Sequence, residues 1–142
     1  MKYEDSLERF VDSQENGYSE VIKELSQGRK TTHWIWYIFP QVFGLGISNY
    51  SKYFGIHGIS EARAYWSHPI LRLRYEQCLN LVLNAQKRPE EILGDIDAKK
   101  LQSSITLFLT VDPDSEILHL AIGRLFSDQL DSKTIALLNK TQ

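Results

Sequence analysis

Apolar residues recur at spacings of three and four along most of the chain, and helix-start and helix-stop signals separate the recurrences. From Tyr18 to Leu25 the positions Tyr18, Val21, Ile22 and Leu25 mark one amphipathic helix, with Gly28 in the usual place just past its end. A shorter helix is predicted before it, around Leu7 to Gln14, with Leu7, Phe10 and Val11 on one side and "QENG" ending it. Ile59-Ser60 reads as a hydrophobic residue followed by an N-cap, and the helix it starts stops near His68, because Pro69 disfavours helical geometry in the residue before it. Pro69 in turn suits the first position of the next helix, to about Gln86. There Leu71, Tyr75, Cys78, Val82 and Ala85 form an inward stripe that Leu79 and Leu83 widen. Pro89 to Leu93, closed by Gly94, makes a turn or two, and Asp97 is predicted to cap a helix from Ala98 to about Leu109 with Leu101, Ile105 and Phe108 inward. Asp114 or Ser115 starts a helix carrying Ile117, Leu118, Ala121, Ile122 and Leu125, and Asp131 or Ser132 starts one carrying Ile135 and Leu138. Sustained period-two alternation, hairpin-turn dipeptides and internal repeats are all missing from the pattern. The prediction is an all-α single domain over residues 1–142: a bundle of about six to eight short helices around a central helix near residues 69–86.

One run departs from this grammar. "KTTHWIWYIFPQVFGLGIS", Lys30 to Ser48, concentrates aromatic and branched residues that also favour buried strands. No second strand of comparable quality exists to pair with it, so His33 to Phe39 is expected to be a buried helix ended by Pro40. Gly44 and Gly46 then permit a loop with backbone angles closed to other residues.

Composition narrows the class. A chain of 142 residues is the size of one domain and buries roughly 70% of its unfolded surface. Its net charge of -2 gives no long-range attraction to nucleic-acid phosphates, and no nucleic-acid partner is expected. Apolar runs fall far short of the ~20 residues of a membrane span, and the first ten residues lack the apolar stretch of a signal peptide. With a lone cysteine, Cys78, no internal disulfide forms, and the cytoplasm is the expected compartment.

Chemical candidates gather in two places. His33, Trp36 and Gln41, with the Gly44 and Gly46 loop beside them, suit a pocket in which an aromatic plane stacks on a ring while the histidine and amide direct hydrogen bonds. The competing reading is a core helix with a satisfied histidine, the commoner fate of an aromatic stripe. Lys100, Ser103 and Ser104 share a helical face that suits a phosphate or carboxylate, unless the serines bond back to the preceding turn and the lysine is solvated. His68, Arg63 and Arg72 suggest an anion clamp but fit a helix end with solvated arginines better. His57 and His119 stand apart, so no metal is predicted, and the paired carboxylates Glu90-Glu91, Asp95/Asp97 and Asp112/Asp114 sit where helices begin. Cys78 lies on the apolar stripe as an inert thiol.

The succession "RFVDSQ", "GRKTTHWIWYIFPQ", "GLG-S", "EARAYWSHPIL-R", "LGDIDAKKLQSSITLF" and "DSKTIALL", from Arg9 to Leu138, resembles domain-of-unknown-function family 1810. The resemblance implies a compact, mainly α-helical single domain and no particular activity. Bacterial members are often labelled calpastatin, although the eukaryotic inhibitor of that name is disordered and this chain is apolar enough to fold. Arg72 stands where the family more often shows Gly, which implies that its helix runs on unbroken. Two function classes follow: a domain binding a small, nucleotide-like or phosphorylated ligand near residues 33–48, or a protein-interaction module using the same aromatic segment. The pattern assigns no catalytic residue, cofactor or oligomeric state.

Overall fold

The computed structural model describes residues 3–141. Its first helix, α1 (Tyr3–Ser26), is continuous where the sequence predicted two. The reason lies at Gly17: a Cβ there would stand 2.6 Å from the Tyr37 hydroxyl, so the glycine is needed for close packing rather than for a break. A glycine inside a helix costs about 1 kcal/mol against alanine, a loss offset by the packing of α1 on its neighbours. The stop after Ser26 is as expected. Gly28 takes φ +75°, its N–H donates to the Leu25 carbonyl, and the Arg29 N–H donates to that of Glu24; together they close a Schellman turn.

The helix predicted over His33 to Phe39 is a single turn, α2 (Ile35–Ile38), and His33 and Trp34 precede it. Its neighbour α3 (Asn49–Phe54) was not foreseen, although Ser48 caps it by accepting from the Ser51 N–H. Gly58, not Ser60, is the N-cap of α4 (Ile59–Ser67). The remaining helices are α5 (Pro69–Asn84), α6 (Pro89–Leu93), α7 (Asp95–Val111), α8 (Glu116–Phe126) and α9 (Ser132–Thr141). Among the described residues nine helices account for 72% of the chain, and α5 runs unbroken through Arg72. Among the described residues the one strand-like feature is an isolated parallel bridge between Val42 and Ile56.

Caps follow the sequence in α5, where the His68 ring accepts from the Leu71 N–H, in α8, where Ser115 accepts from Leu118, and in α9, where Asp131 accepts from Thr134. They fail in α7, which begins at Asp95 after the uncapped Gly94. Asp97 is therefore inside its first turn, with its carboxylate turned to two lysines. The middle of the bundle is shared: α5 packs on α1, α2, α4 and α8, and α7 packs on α2, α4, α6, α8 and α9. Between them Phe39, Trp66, Tyr75 and Phe108 form a chain of aromatic contacts, three of them edge-on at ring separations of 5.1 Å.

Val82 is fully buried in α5. Val82→Asp places an unpaired carboxylate there, at a cost of roughly 3–5 kcal/mol. The variant is expected to lose its soluble yield and helical circular dichroism; wild-type stability in urea would contradict the placement of α5.

Candidate functional site

The segment after α1 is fixed by one carboxylate. Glu24 is 2% exposed, and its Oε1 accepts from the Thr31 N–H at 2.7 Å, the Thr32 N–H at 3.0 Å and the Trp34 indole at 3.0 Å. The Thr32 hydroxyl donates to Oε2. Burial works to raise the carboxyl pKa, but the bonds from Thr32, Thr31 and Trp34 together outweigh it and hold it down from the ordinary 4.5 to about 2. This anchor seats Trp34 in the core and makes the chain turn so that Lys30, His33 and Trp36 line a groove against the start of α7.

The groove, of about 610 Å³, is bounded by Lys30, Thr32, His33, Trp36, Asp97 and Lys100. Asp97 is shared by two cations. The Lys30 ammonium lies 2.9 Å from Oδ2 and the Lys100 ammonium 3.6 Å from Oδ1. Each cation also lies over a tryptophan, Lys30 over Trp34 at 5.2 Å and Lys100 over Trp36 at 4.9 Å from the ring centroid. Tyr50 stacks on Trp36 at 4.8 Å. The backbone N–H of Lys30 donates to the Ile92 carbonyl at 2.7 Å, tying this wall to α6.

The structure thus brings together His33, Trp36 and Lys100, three residues singled out from two separate stretches. Gln41 and Gly46 meet Trp36 elsewhere, around a small hollow that also touches Ser51 and Gly55. Gly44, at φ +105°, faces Leu137 instead. Ser103 and Ser104 do not reach the groove: both are buried, Ser103 donates back to the Lys99 carbonyl, and the Ser104 hydroxyl pairs with the Tyr75 hydroxyl at 2.9 Å. At 3.6 residues per turn the i+3 and i+4 neighbours of Lys100 lie to either side of it, and here both are turned inward, Ser104 to Tyr75 of α5. Sequence reasoning missed Lys30, Asp97, Tyr50 and Glu24. Asp97 at i−3 from Lys100 was the legible signal, obscured because an aspartate there also suits a cap.

The other candidates have structural places. Arg72 bridges Glu76 and Asp112 at 3.4 Å each, Trp66 donates to Asp112 at 2.9 Å, and burial pushes the Cys78 thiol up to about 12. Among the described residues no group of His, Cys, Asp and Glu is arranged to hold a metal ion, and no helix is long and apolar enough to cross a membrane.

Because the folded-state pKa of Glu24 lies below its unfolded value, the stability it contributes is complete above about pH 4.5 and is lost as pH falls toward 2. Glu24→Gln is expected to lower stability at pH 7 by about 3 kcal/mol and to flatten the acid dependence in that window. Urea unfolding at pH 7 and at steps down to pH 3 measures both; an unchanged acid limb would remove Glu24 from the account.

No curated protein matches the chain. The chain is similar to a solved structure, the conserved hypothetical protein Rv1873 from Mycobacterium tuberculosis, at 39% identity and a TM-score of 0.90, over 94% of this chain and 96% of that one. A family model described as "Protein of unknown function (DUF1810)" matches residues 4–138, and the chain therefore belongs to the DUF1810 family.

Proposed function

We propose that the groove between the Lys30–Trp36 segment and the start of α7 binds a small ligand that carries an anionic group and a flat ring, as a nucleotide-like or phosphorylated metabolite does. The observation that carries this reading is the inequality of the two lysines on Asp97. Lys30 makes the shorter ion pair and its side chain is 7% exposed, whereas Lys100 makes the longer pair at 22% exposure. Lys100 is therefore the cation free to exchange Asp97 for a ligand anion, while Lys30 keeps the carboxylate in place. His33, at the exposed rim, adds a directed hydrogen bond. The ligand ring has its place on Trp36, where Tyr50, 60% exposed, now stacks and is free to yield. Asp95 and Asp97 balance the two ammoniums along the lining, so recognition rests on contact geometry and not on a long-range field.

A second reading has its own observation. Ile47 is 92% exposed, and Tyr50 and Tyr53 stand out beside it on α3 and the preceding loop, an apolar ridge of the kind that serves protein interfaces. The two readings part in one experiment. A thermal-shift panel of nucleotides and phosphorylated metabolites is expected to raise the melting temperature of the wild type and not that of Lys100→Ala. Without ligand, His33→Ala, Gln41→Ala and Lys100→Ala are expected to shift it by less than about 2 °C, whereas Ser104→Ala, which orphans the Tyr75 hydroxyl, lowers it more. A flat response to every ligand, joined to a concentration-dependent oligomer that Ile47→Asp dissolves, would favour the interface.

A further inference from the structure

The surface helix α8 is apolar on more sides than its place in the bundle uses. Leu118, Ala121 and Ile122 are buried, as an inward stripe requires, and Ile117 and Leu125 pack along its flanks. Leu120 nevertheless points outward, 44% exposed. Glu116, Leu120 and Arg124 are all exposed and stand four residues apart, so they form one ridge along the helix with the leucine at its middle. His119 beside them is folded back, its Nε2 paired with the Pro113 carbonyl. The ground at the two ends of this ridge differs in charge. A groove of about 640 Å³ beside the start of α8 holds Glu76, Asp112, Asp114 and Glu116 against Arg72, which is itself committed to Glu76 and Asp112. A recess of about 710 Å³ beside its end holds Lys87, Arg88 and Arg124 against Glu90 and Glu91. Carboxylates are thus in excess at one end and cations at the other.

We infer that this face is an interface between two copies of the chain, related by a two-fold axis at Leu120 that sets their α8 helices antiparallel. A two-fold interface has to be self-complementary, with residue i on j and j on i. Glu116 and Arg124 meet that condition, because each lies four residues from Leu120, on opposite sides of it. The axis brings Glu116 against the partner's Arg124 twice over and closes the two leucines on each other at the centre. It also lays the carboxylate-rich groove of each copy toward the cation-rich recess of the other. A parallel arrangement would oppose like charges, whereas antiparallel helices also align their macrodipoles favourably. A uniformly basic or uniformly acidic partner would match one end of the face and be repelled by the other, so the occupant is a second copy. The net charge of -2 leaves little repulsion between copies at a distance. Helix α8 is only about 16 Å long at ~1.5 Å per residue, too short to supply by itself the ~800 Å² per partner of a stable interface. The α5 ridge of Arg72, Glu76 and Asn80 therefore shares the contact, and the dimer is a weak one. The face has no residue in common with the ligand groove or the Ile47 ridge and stands independently of both readings of them.

Sedimentation equilibrium of the purified chain over a range of concentrations is the test. The wild type is expected to pass from monomer to dimer below about 1 mM, the limit of a weak specific contact. Leu120→Asp is expected to leave only monomer, with helical circular dichroism and melting temperature nearly unchanged, since the residue it replaces is exposed. Glu116→Arg and Arg124→Glu each set like charges together at two places and are expected to weaken the dimer about tenfold. The double variant Glu116→Arg/Arg124→Glu restores both pairs and is expected to return to within about threefold of the wild type. Both reversals oppose the α8 dipole, so a dimer lost through damage to the helix would be lost further in the double variant and not rescued. Ile47→Asp is expected to leave the dimer intact. A chain that stays monomeric up to about 1 mM, a dimer that Leu120→Asp leaves alone or that Ile47→Asp dissolves, or a double variant as weak as the single ones would overturn the inference.

Discussion

A buried carboxylate at the end of the first helix governs how the aromatic segment enters the molecule. Left alone, Glu24 would be held in a nearly water-free place at a large desolvation cost. Its two oxygens instead collect two backbone N–H groups, a hydroxyl and an indole from the four residues Thr31 to Trp34. The segment must then wrap around the carboxylate, and a segment that wraps cannot be helical. This is why α2 is limited to a single turn and why Trp34 faces the core while His33 and Trp36 face the groove. The Schellman turn at Gly28 makes the wrap possible by reversing the chain within a few residues of Glu24.

A second buried carboxylate works the same way on the next stretch. Glu61 of α4 pairs with Arg9 of α1 at 2.9 Å and accepts from the His57 N–H at 3.0 Å. The same guanidinium donates to the Tyr53 and Gly55 carbonyls, at 2.7 and 2.9 Å. The ion pair is therefore less a source of net stability, which buried pairs seldom supply, than a means of satisfying the end of α3. The loop from Val42 to Ile56 is closed at its base by its isolated bridge and held from below by Arg9. Tyr50 reaches the Trp36 ring from a helix that is fixed at both ends.

The groove and the hollow are consequences of these two anchors. Trp36 separates them, with an ammonium and a phenol on its ring. The arrangement concentrates polar groups along one edge of an otherwise apolar bundle, where α2, α3 and the start of α7 meet.

The helices were legible in the sequence wherever local rules decide them. Pro69, Ser115 and Asp131 start helices because caps and fixed φ act within four residues, and the stripe from Leu71 to Val82 is buried because period and polarity agree over about three turns. Local rules misled at Gly17 and Asp97, where the residue type suits a break or a cap but a distant partner decides otherwise: the Tyr37 hydroxyl in one case, Lys30 and Lys100 in the other. Of the site, the residues His33, Trp36 and Lys100 were readable as unusual, but not Glu24, whose spacing in α1 is that of an ordinary solvated glutamate. The sequence by itself determined an all-helical chain and which residue types were out of place in it. Only the tertiary structure decided which of those residues meet, because a meeting between Lys100 and Trp36, 64 positions apart in the chain, depends on how α7 packs beside a segment that Glu24 has already turned, and packing across such a distance leaves no period in the sequence.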